Sequence, residues 1–109
     1  MDMIKVSANS RTSAVAGAIA GVVREHKRAD VQAIGAGAVN QAVKALVLAT
    51  GYLRNDGIEV CCVPEFVDVE IDDKVRTAIK LVVEHRVPAA PAPESMKPEK
   101  PEETETDMS

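Results

Sequence analysis

The chain has 109 residues, of which 46% are hydrophobic and only 2% aromatic, so it has room for one domain with an aliphatic core. Because Tyr52 and Phe66 are its only aromatic residues, it is poorly suited to an RNA-binding module that stacks bases on aromatic rings. The net charge of −4 comes entirely from residues 88–109, so it does not exclude a folded domain that binds nucleic acid.

The first half of the chain alternates between strand and helix signals. Residues 3–8 alternate as a half-buried strand, and a cluster of turn residues leads into a helix predicted over residues 13–27. Gly17 and Gly21 lie on one face of this helix, a spacing that indicates close packing against a neighbouring backbone. A second strand is predicted over residues 29–34.

A second helix is predicted over residues 38–53. Its apolar face is expected to consist of Val39, Val43, Leu46 and Val47, with alanines filling the space between them.

Two further strand signals close the domain. Residues 58–63 are typical of a third strand, which Pro64 is expected to end or bulge. Residues 66–71 alternate again and extend this strand in the same direction. Residues 72–74 form a predicted hairpin turn, from which residues 75–87 return as a long strand.

The adjacent Cys61 and Cys62 favour reduced thiols over a disulfide or a zinc site, and on a strand one of them is expected to face the core. The sequence shows no signal peptide, and its apolar stretches are too short to span a bilayer. We therefore expect a cytoplasmic protein with no membrane partner.

The order β-α-β-α-β-β predicts the α/β class, more narrowly an α+β two-layer sandwich. Two helices are expected on one face of a four-stranded mixed sheet, with a long C-terminal hairpin that projects to grip a partner subunit or a nucleic-acid groove. This domain is assigned to residues 1–87. Residues 88–109, rich in proline and glutamate, are predicted to form a disordered acidic tail whose deletion tightens nucleic-acid binding.

The loop before the second helix carries the strongest functional signal. Gly35 and Gly37 lie between a strand and a helix start, where unpaired backbone N–H groups attract anions and missing side chains permit close approach. The sequence is neither a P-loop nor a dinucleotide fingerprint, because the lysine of the first and the third glycine of the second are missing. The alternative is a tight connection that serves only to pack helix on sheet.

Four segments resemble the stage V sporulation protein S family, namely Lys5–Ala8, Ser13–Glu25, Gln32–Ala45 and Arg76–Leu81. That family is similar to Alba, a small chromatin- and RNA-binding fold with the same element order. The resemblance covers nearly all of residues 3–86. It implies a cytoplasmic, homodimeric regulator that binds DNA or RNA and is linked to sporulation and septation.

This chain has fewer basic residues than Alba proteins at the expected interface. Gly35, Gly37 and Gln41 stand where Alba proteins carry basic residues, and residues 9–11 replace tandem lysines. Since phosphate contacts dominate non-specific affinity, we expect weaker binding that relies on backbone and side-chain amides. A histone-like coating role is therefore disfavoured.

Arg11 follows the first strand at the end of the sheet where the Gly-Ala loop follows the second, so the two loops are expected to converge. The alternative for Asn40 and Lys44 is a solvated helix face, and for the hairpin tip a charged solubility device. The residues expected at the nucleic-acid interface are Lys5, Asn9, Arg11, Gly35, Gly37, Asn40, Gln41, Lys44, Lys74 and Arg76.

Neither an acid–base pair, a triad nor a metal-ligand spacing stands out, so the sequence predicts a non-enzyme without catalytic residues, metal or cofactor. Two alternative functions use the same surface. The first is a protein-interaction module in sporulation or cell division that binds no nucleic acid, and the second is a sensor that binds an anionic metabolite at the Gly-Ala loop.

Overall fold

The computed structural model describes residues 3–86, so the predicted tail lies outside the described residues. Its elements are β1 (Ile4–Val6), α1 (Thr12–His26), β2 (Arg28–Ala33), α2 (Ala36–Asn55), β3 (Val60–Ile71) and β4 (Lys74–His85). This order confirms the predicted β-α-β-α-β-β fold. Because α2 begins at Ala36, Gly37 belongs to the first turn of the helix and not to the loop before it.

The four strands form one mixed sheet in the order β1-β2-β4-β3, in which only β1 and β2 are parallel. The pairing of β2 with β4 stops at Ala33 and Ile79. Residues 67–78, here called the arm, therefore extend beyond β2 as a two-stranded ribbon. The arm leaves the sheet where β1 and β2 end and both helices start. We call this the loop end of the molecule and the opposite end the far end.

Both helices pack on one face of the sheet, because alternate residues of β2 and β4 join them in a single core. Val31 and Val83 are fully buried on this face beneath Ile19 of α1. The remaining residues of the strands, including Gln32 and Lys80, lie on the other face, which no helix covers. We call this the open face.

The buried side of α2 differs from the prediction. Its fully buried residues are Ala38, Ala42, Ala45, Ala49 and Leu53. Val43 and Val47, expected in the core, are 48% and 68% exposed. The small alanine side chains let α2 approach α1 and the sheet closely, which turns the larger valines toward solvent. The prediction was therefore wrong for Val43 and Val47, whereas Val39 and Leu46 pack against the core as expected.

The glycines of α1 were also misassigned. Gly17 and Gly21 are exposed, and a Cβ atom added at either would meet nothing within 4 Å. No backbone of residues 3–86 packs against them, so within one chain the spacing does not serve the close contact that was expected.

Two expectations for β3 were wrong for one reason, its position at the edge of the sheet. Pro64 neither ends nor bulges the strand, which pairs with β4 without interruption from Val60 to Ile71. An edge strand tolerates proline because one side of its backbone faces solvent. Cys62 lies on the helix side opposite the buried Val83 and Cys61 on the other side, as alternation predicts, but both are exposed at the edge, so neither thiol reaches the core. Partial burial, with a smaller contribution from Cys61, raises the pKa of the Cys62 thiol.

Candidate nucleic-acid interface

The loop after β1 is a tight turn held by its own serines. The Ser7 N–H donates to Ser10 Oγ (2.9 Å), and the Ser10 N–H donates to the Ser7 carbonyl oxygen (3.1 Å). The Asn9 N–H donates to Ser7 Oγ at 3.3 Å. These bonds fix the backbone that leads to Arg11, the exposed residue before α1.

The same loop is attached to the first turns of α2. Gln41 Nε2 donates to the Ser10 carbonyl oxygen (2.8 Å) and lies 3.4 Å from Thr12 Oγ1. The loop also packs tightly against α2 at Gly37, because a Cβ added there would lie only 2.9 Å from the Ala8 Cβ. The two loops thus converge as expected. The Gln41 amide is engaged within the protein, where it positions the loop.

Both helices begin at the loop end without a side-chain cap. Gly35, with φ of 90°, precedes α2, and Arg11 precedes α1. Neither first turn contains an acidic residue. The first N–H groups of a helix carry partial positive charge, so the two starts add to the field of Arg11. At the start of α2, no side-chain hydrogen bond is made by the N-cap residue, Gly35.

The predicted interface residues fall into two groups on either side of the serine turn. Asn9, Arg11, Gly35, Gly37 and Gln41 lie together at the helix starts, and Asn40 and Lys44 follow along the exposed side of α2. Lys5, Lys74 and Arg76 form the second group. Lys5 lies on the open face beside Gln32, while Lys74 and Arg76 lie on the arm opposite Ile71 and Val69.

The arm carries opposite charges on its two sides. By the strand register, Lys74 and Arg76 share one side with Ile71 and Val69, and Asp68 and Glu70 lie on the other with Thr77 and Val75. Asp72 and Asp73 form the turn at its tip, with φ of 50° and 62°. A polyanion can therefore approach favourably only the side that carries Lys74 and Arg76.

Three arginines at the far end are paired with carboxylates, while Lys27 and Arg86 there form no ion pair within residues 3–86. Arg24 Nε lies 2.7 Å from Asp56 Oδ2, and Arg54 Nε lies 3.4 Å from Glu59 Oε1. Arg28 contacts Asp30 (2.9 Å) and Glu84 (3.7 Å). The hydrogen bond to Asp30, reinforced by its charge, raises the pKa of Arg28. At the loop end, by contrast, Lys5, Arg11, Lys44, Lys74 and Arg76 form no ion pair within residues 3–86.

Sequence reasoning missed two surface features. The first is a set of exposed apolar side chains, with Phe66 79% exposed, Val75 70% and Val47 68%. They escaped notice because alternation and helical spacing assigned these residues to buried faces. The second is a cleft between the arm and the ends of β1 and β2, which includes Gln32. No sequence signal marks it, because it depends on how the arm curves.

The uncapped helix starts, converging loops and projecting hairpin define a small α+β protein of the two-layer sandwich class. The chain belongs to the stage V sporulation protein S (SpoVS) family, whose model matches residues 2–86. This assignment confirms the predicted family and gives the protein a sporulation-related role. In the part of the chain that the structure describes, neither helix is suited by length and hydropathy to cross a membrane.

Proposed function

We propose that this protein is a non-enzymatic, cytoplasmic regulator that binds DNA or RNA as a homodimer, with the loop end as the binding surface. The observation that carries the proposal is that, within residues 3–86, none of the five loop-end cations forms an ion pair, whereas three of the five far-end cations do, with Lys27 and Arg86 as the exceptions. Carboxylates neutralise Arg24, Arg28 and Arg54 at the far end, whereas the loop-end cations have no such partner in residues 3–86. Phosphate groups are the polymer ligands that such cations and exposed helix amides bind.

The proposed contact has two parts. Arg11 and Lys44, with the backbone N–H groups of Ala36 and Gly37, meet phosphates on the helix side of the serine turn. Lys5, Lys74 and Arg76 meet phosphates on the open side. Gly37 cannot carry a side chain without striking Ala8, so this glycine serves the close packing of α2 on the loop after β1.

A salt titration of the full chain tests this proposal. Affinity for duplex DNA and for duplex RNA, followed by fluorescence anisotropy, should fall linearly on logarithmic axes as salt rises, by about 0.9 in slope for each phosphate contact. Absence of binding to both polymers at low salt would overturn the proposal.

A second copy of the chain is the proposed partner for the exposed apolar residues. Phe66 lies opposite Ile79 in the register, on the helix side of the sheet and next to the core. Its ring is 79% exposed, and contact with a second copy would remove this apolar surface from water. A twofold dimer would cover this residue in both copies. Sedimentation should show a dimer that Phe66→Asp dissociates, whereas Val63→Asp, on the open side of the same strand, preserves it.

The same exposed residues favour the second candidate function, a protein-interaction module. A monomer in sedimentation that binds neither polymer would favour this alternative, with another protein covering Phe66.

A further inference from the structure

An open cleft of about 360 Å³ lies between the arm and the ends of β1 and β2. This volume falls at the lower end of the range for small-molecule sites, about 300–1,000 Å³. Polar residues and apolar residues contribute different parts of its lining, and together they fit one chemical class of ligand.

The polar part consists of Lys5 and Gln32. They are direct partners in the parallel pairing of β1 with β2, so their side chains lie next to each other on the open face. Neither side chain forms a hydrogen bond or an ion pair within residues 3–86. The Lys5 ammonium suits a phosphate, while the Gln32 amide offers two donors and an acceptor at a fixed distance from it.

The apolar part comes from Ile34 and from Val69 and Ile71 of the arm. Val69 is half-buried, so part of its side chain packs against neighbouring residues while the rest lines the cleft. The aliphatic surface suits the face of a flat heterocycle, the Gln32 amide suits its polar edge, and the Lys5 ammonium suits a phosphate linked to it. Glu70 also borders the cleft, but by the strand register its side chain lies on the other side of the arm from Val69 and Ile71.

The cleft is continuous with the proposed polymer surface. Ser7 and Ala8 border it, and they belong to the turn that leads to Arg11. A nucleic-acid strand with a phosphate on Arg11 would pass over this turn and reach the cleft. Inside a duplex, a base is stacked and cannot enter, but a base at an end or a gap can.

We propose that this cleft holds one unstacked nucleotide, with its base against Val69 and Ile71, its edge on Gln32 and its phosphate on Lys5. The inference rests on the proposed function and sharpens it. The preferred substrate is a nucleic acid with a single-stranded nucleotide next to a duplex, not a fully paired one.

Binding of the full chain to a blunt duplex, compared with the same duplex carrying a short single-stranded overhang, tests the inference. The overhang should raise affinity several-fold. Gln32→Leu should abolish this gain and leave blunt-duplex affinity unchanged, and the uncharged, similarly sized Gln32→Met should do the same if leucine impairs folding. Lys80→Met is the matched control, since Lys80 is the β4 partner of Gln32 and contacts Glu65 at 3.9 Å.

Equal affinity of the unmodified chain for both duplexes would overturn the inference and leave the proposed function standing. Equal loss for both duplexes in the Gln32 variants would also overturn it. Absence of binding to either duplex would refute the proposed function itself, and with it this inference.

Discussion

The two ends of this molecule carry similar numbers of cations but surround them differently. At the far end, Arg24, Arg28 and Arg54 contact carboxylates directly, while Lys27 and Arg86 form no ion pair within residues 3–86. At the loop end, the first turns of both helices lack acidic residues, and Arg11 and Lys44 have no ion-pair partner in residues 3–86. The number of cations at each end does not reveal this contrast, because a carboxylate in contact with a cation cancels much of the positive potential that a ligand would meet.

The backbone differs between the two ends as well. The loop end depends on Gly35 in a left-handed conformation and on Gly37 in contact with Ala8. At the far end, α1 closes on Lys27 with φ of 65°, a conformation that glycine would adopt more readily. After α2, at the same end, Gly57 has φ of 74° and nothing within 4 Å of an added Cβ, so backbone conformation alone favours glycine there, whereas close approach requires it at Gly37.

The largest expected effect on stability is at Gly37. Gly37→Ala places a Cβ 2.9 Å from the Ala8 Cβ, and we expect the free energy of unfolding to fall by about 1–3 kcal/mol from overpacking. Urea denaturation measures this loss. Gly51→Ala, on the same helix with nothing within 4 Å, should instead stabilise the protein by up to about 1 kcal/mol.

A compensating change identifies the cause. In the Gly37→Ala background, Ala8→Gly removes the opposing methyl group and should recover most of the lost stability. If the double variant is as unstable as the single one, the contact with Ala8 does not set the requirement for glycine.

Loss of the Gln41 hydrogen bonds should have the next largest effect. Gln41→Leu leaves the Ser10 carbonyl oxygen without its 2.8 Å donor, which should cost about 1 kcal/mol of unfolding free energy. Because this bond holds the loop that carries Arg11, nucleic-acid affinity should fall as well. Denaturation and anisotropy measure the two losses, and unchanged affinity in a destabilised variant would show that the loop position is irrelevant to binding.

Removal of residues 88–109 should raise nucleic-acid affinity by a few-fold at low salt. The segment carries a net charge of −4 and should repel or compete with a polyanion at the loop-end cations. The difference between the full chain and the truncated one should vanish at high salt. Identical affinities at low salt would mean that the segment does not influence binding.

The smallest effect is expected at the far end. Asp56→Asn breaks the contact with Arg24, but both side chains are nearly half-exposed, so the cost should stay below about 0.5 kcal/mol. Nucleic-acid affinity should not change. A marked gain in affinity would mean that a released Arg24 binds phosphate, which would weaken the contrast between the ends.

The element order and the convergence of the two loops followed from the sequence, because alternation, helical spacing and parallel strands constrain both. The buried side of α2 did not. This helix has two apolar stripes, and hydrophobicity ranks Val43 and Val47 above Ala42 and Ala45. Close packing against α1 selects the smaller side chains, and that distance is a tertiary property.

The positions of most interface residues at the loop end were predictable, but their partners were not. Gln41 reaches Ser10 across 31 residues and Arg24 reaches Asp56 across 32. No local pattern specifies such pairs. Whether a cation is paired or available for a ligand therefore becomes clear only once the chain is folded.

The most direct test of the account is a pair of matched charge reversals in the full chain. Arg11→Glu with Lys44→Glu and Lys27→Glu with Arg86→Glu change net charge equally, at the loop end and the far end, and all four residues are exposed. The loop-end pair should lower duplex affinity about tenfold or more at low salt and reduce the slope of the salt dependence by about two phosphate contacts. The far-end pair should leave both nearly unchanged. Equal losses from the two pairs would contradict the claim that the loop end binds the polymer.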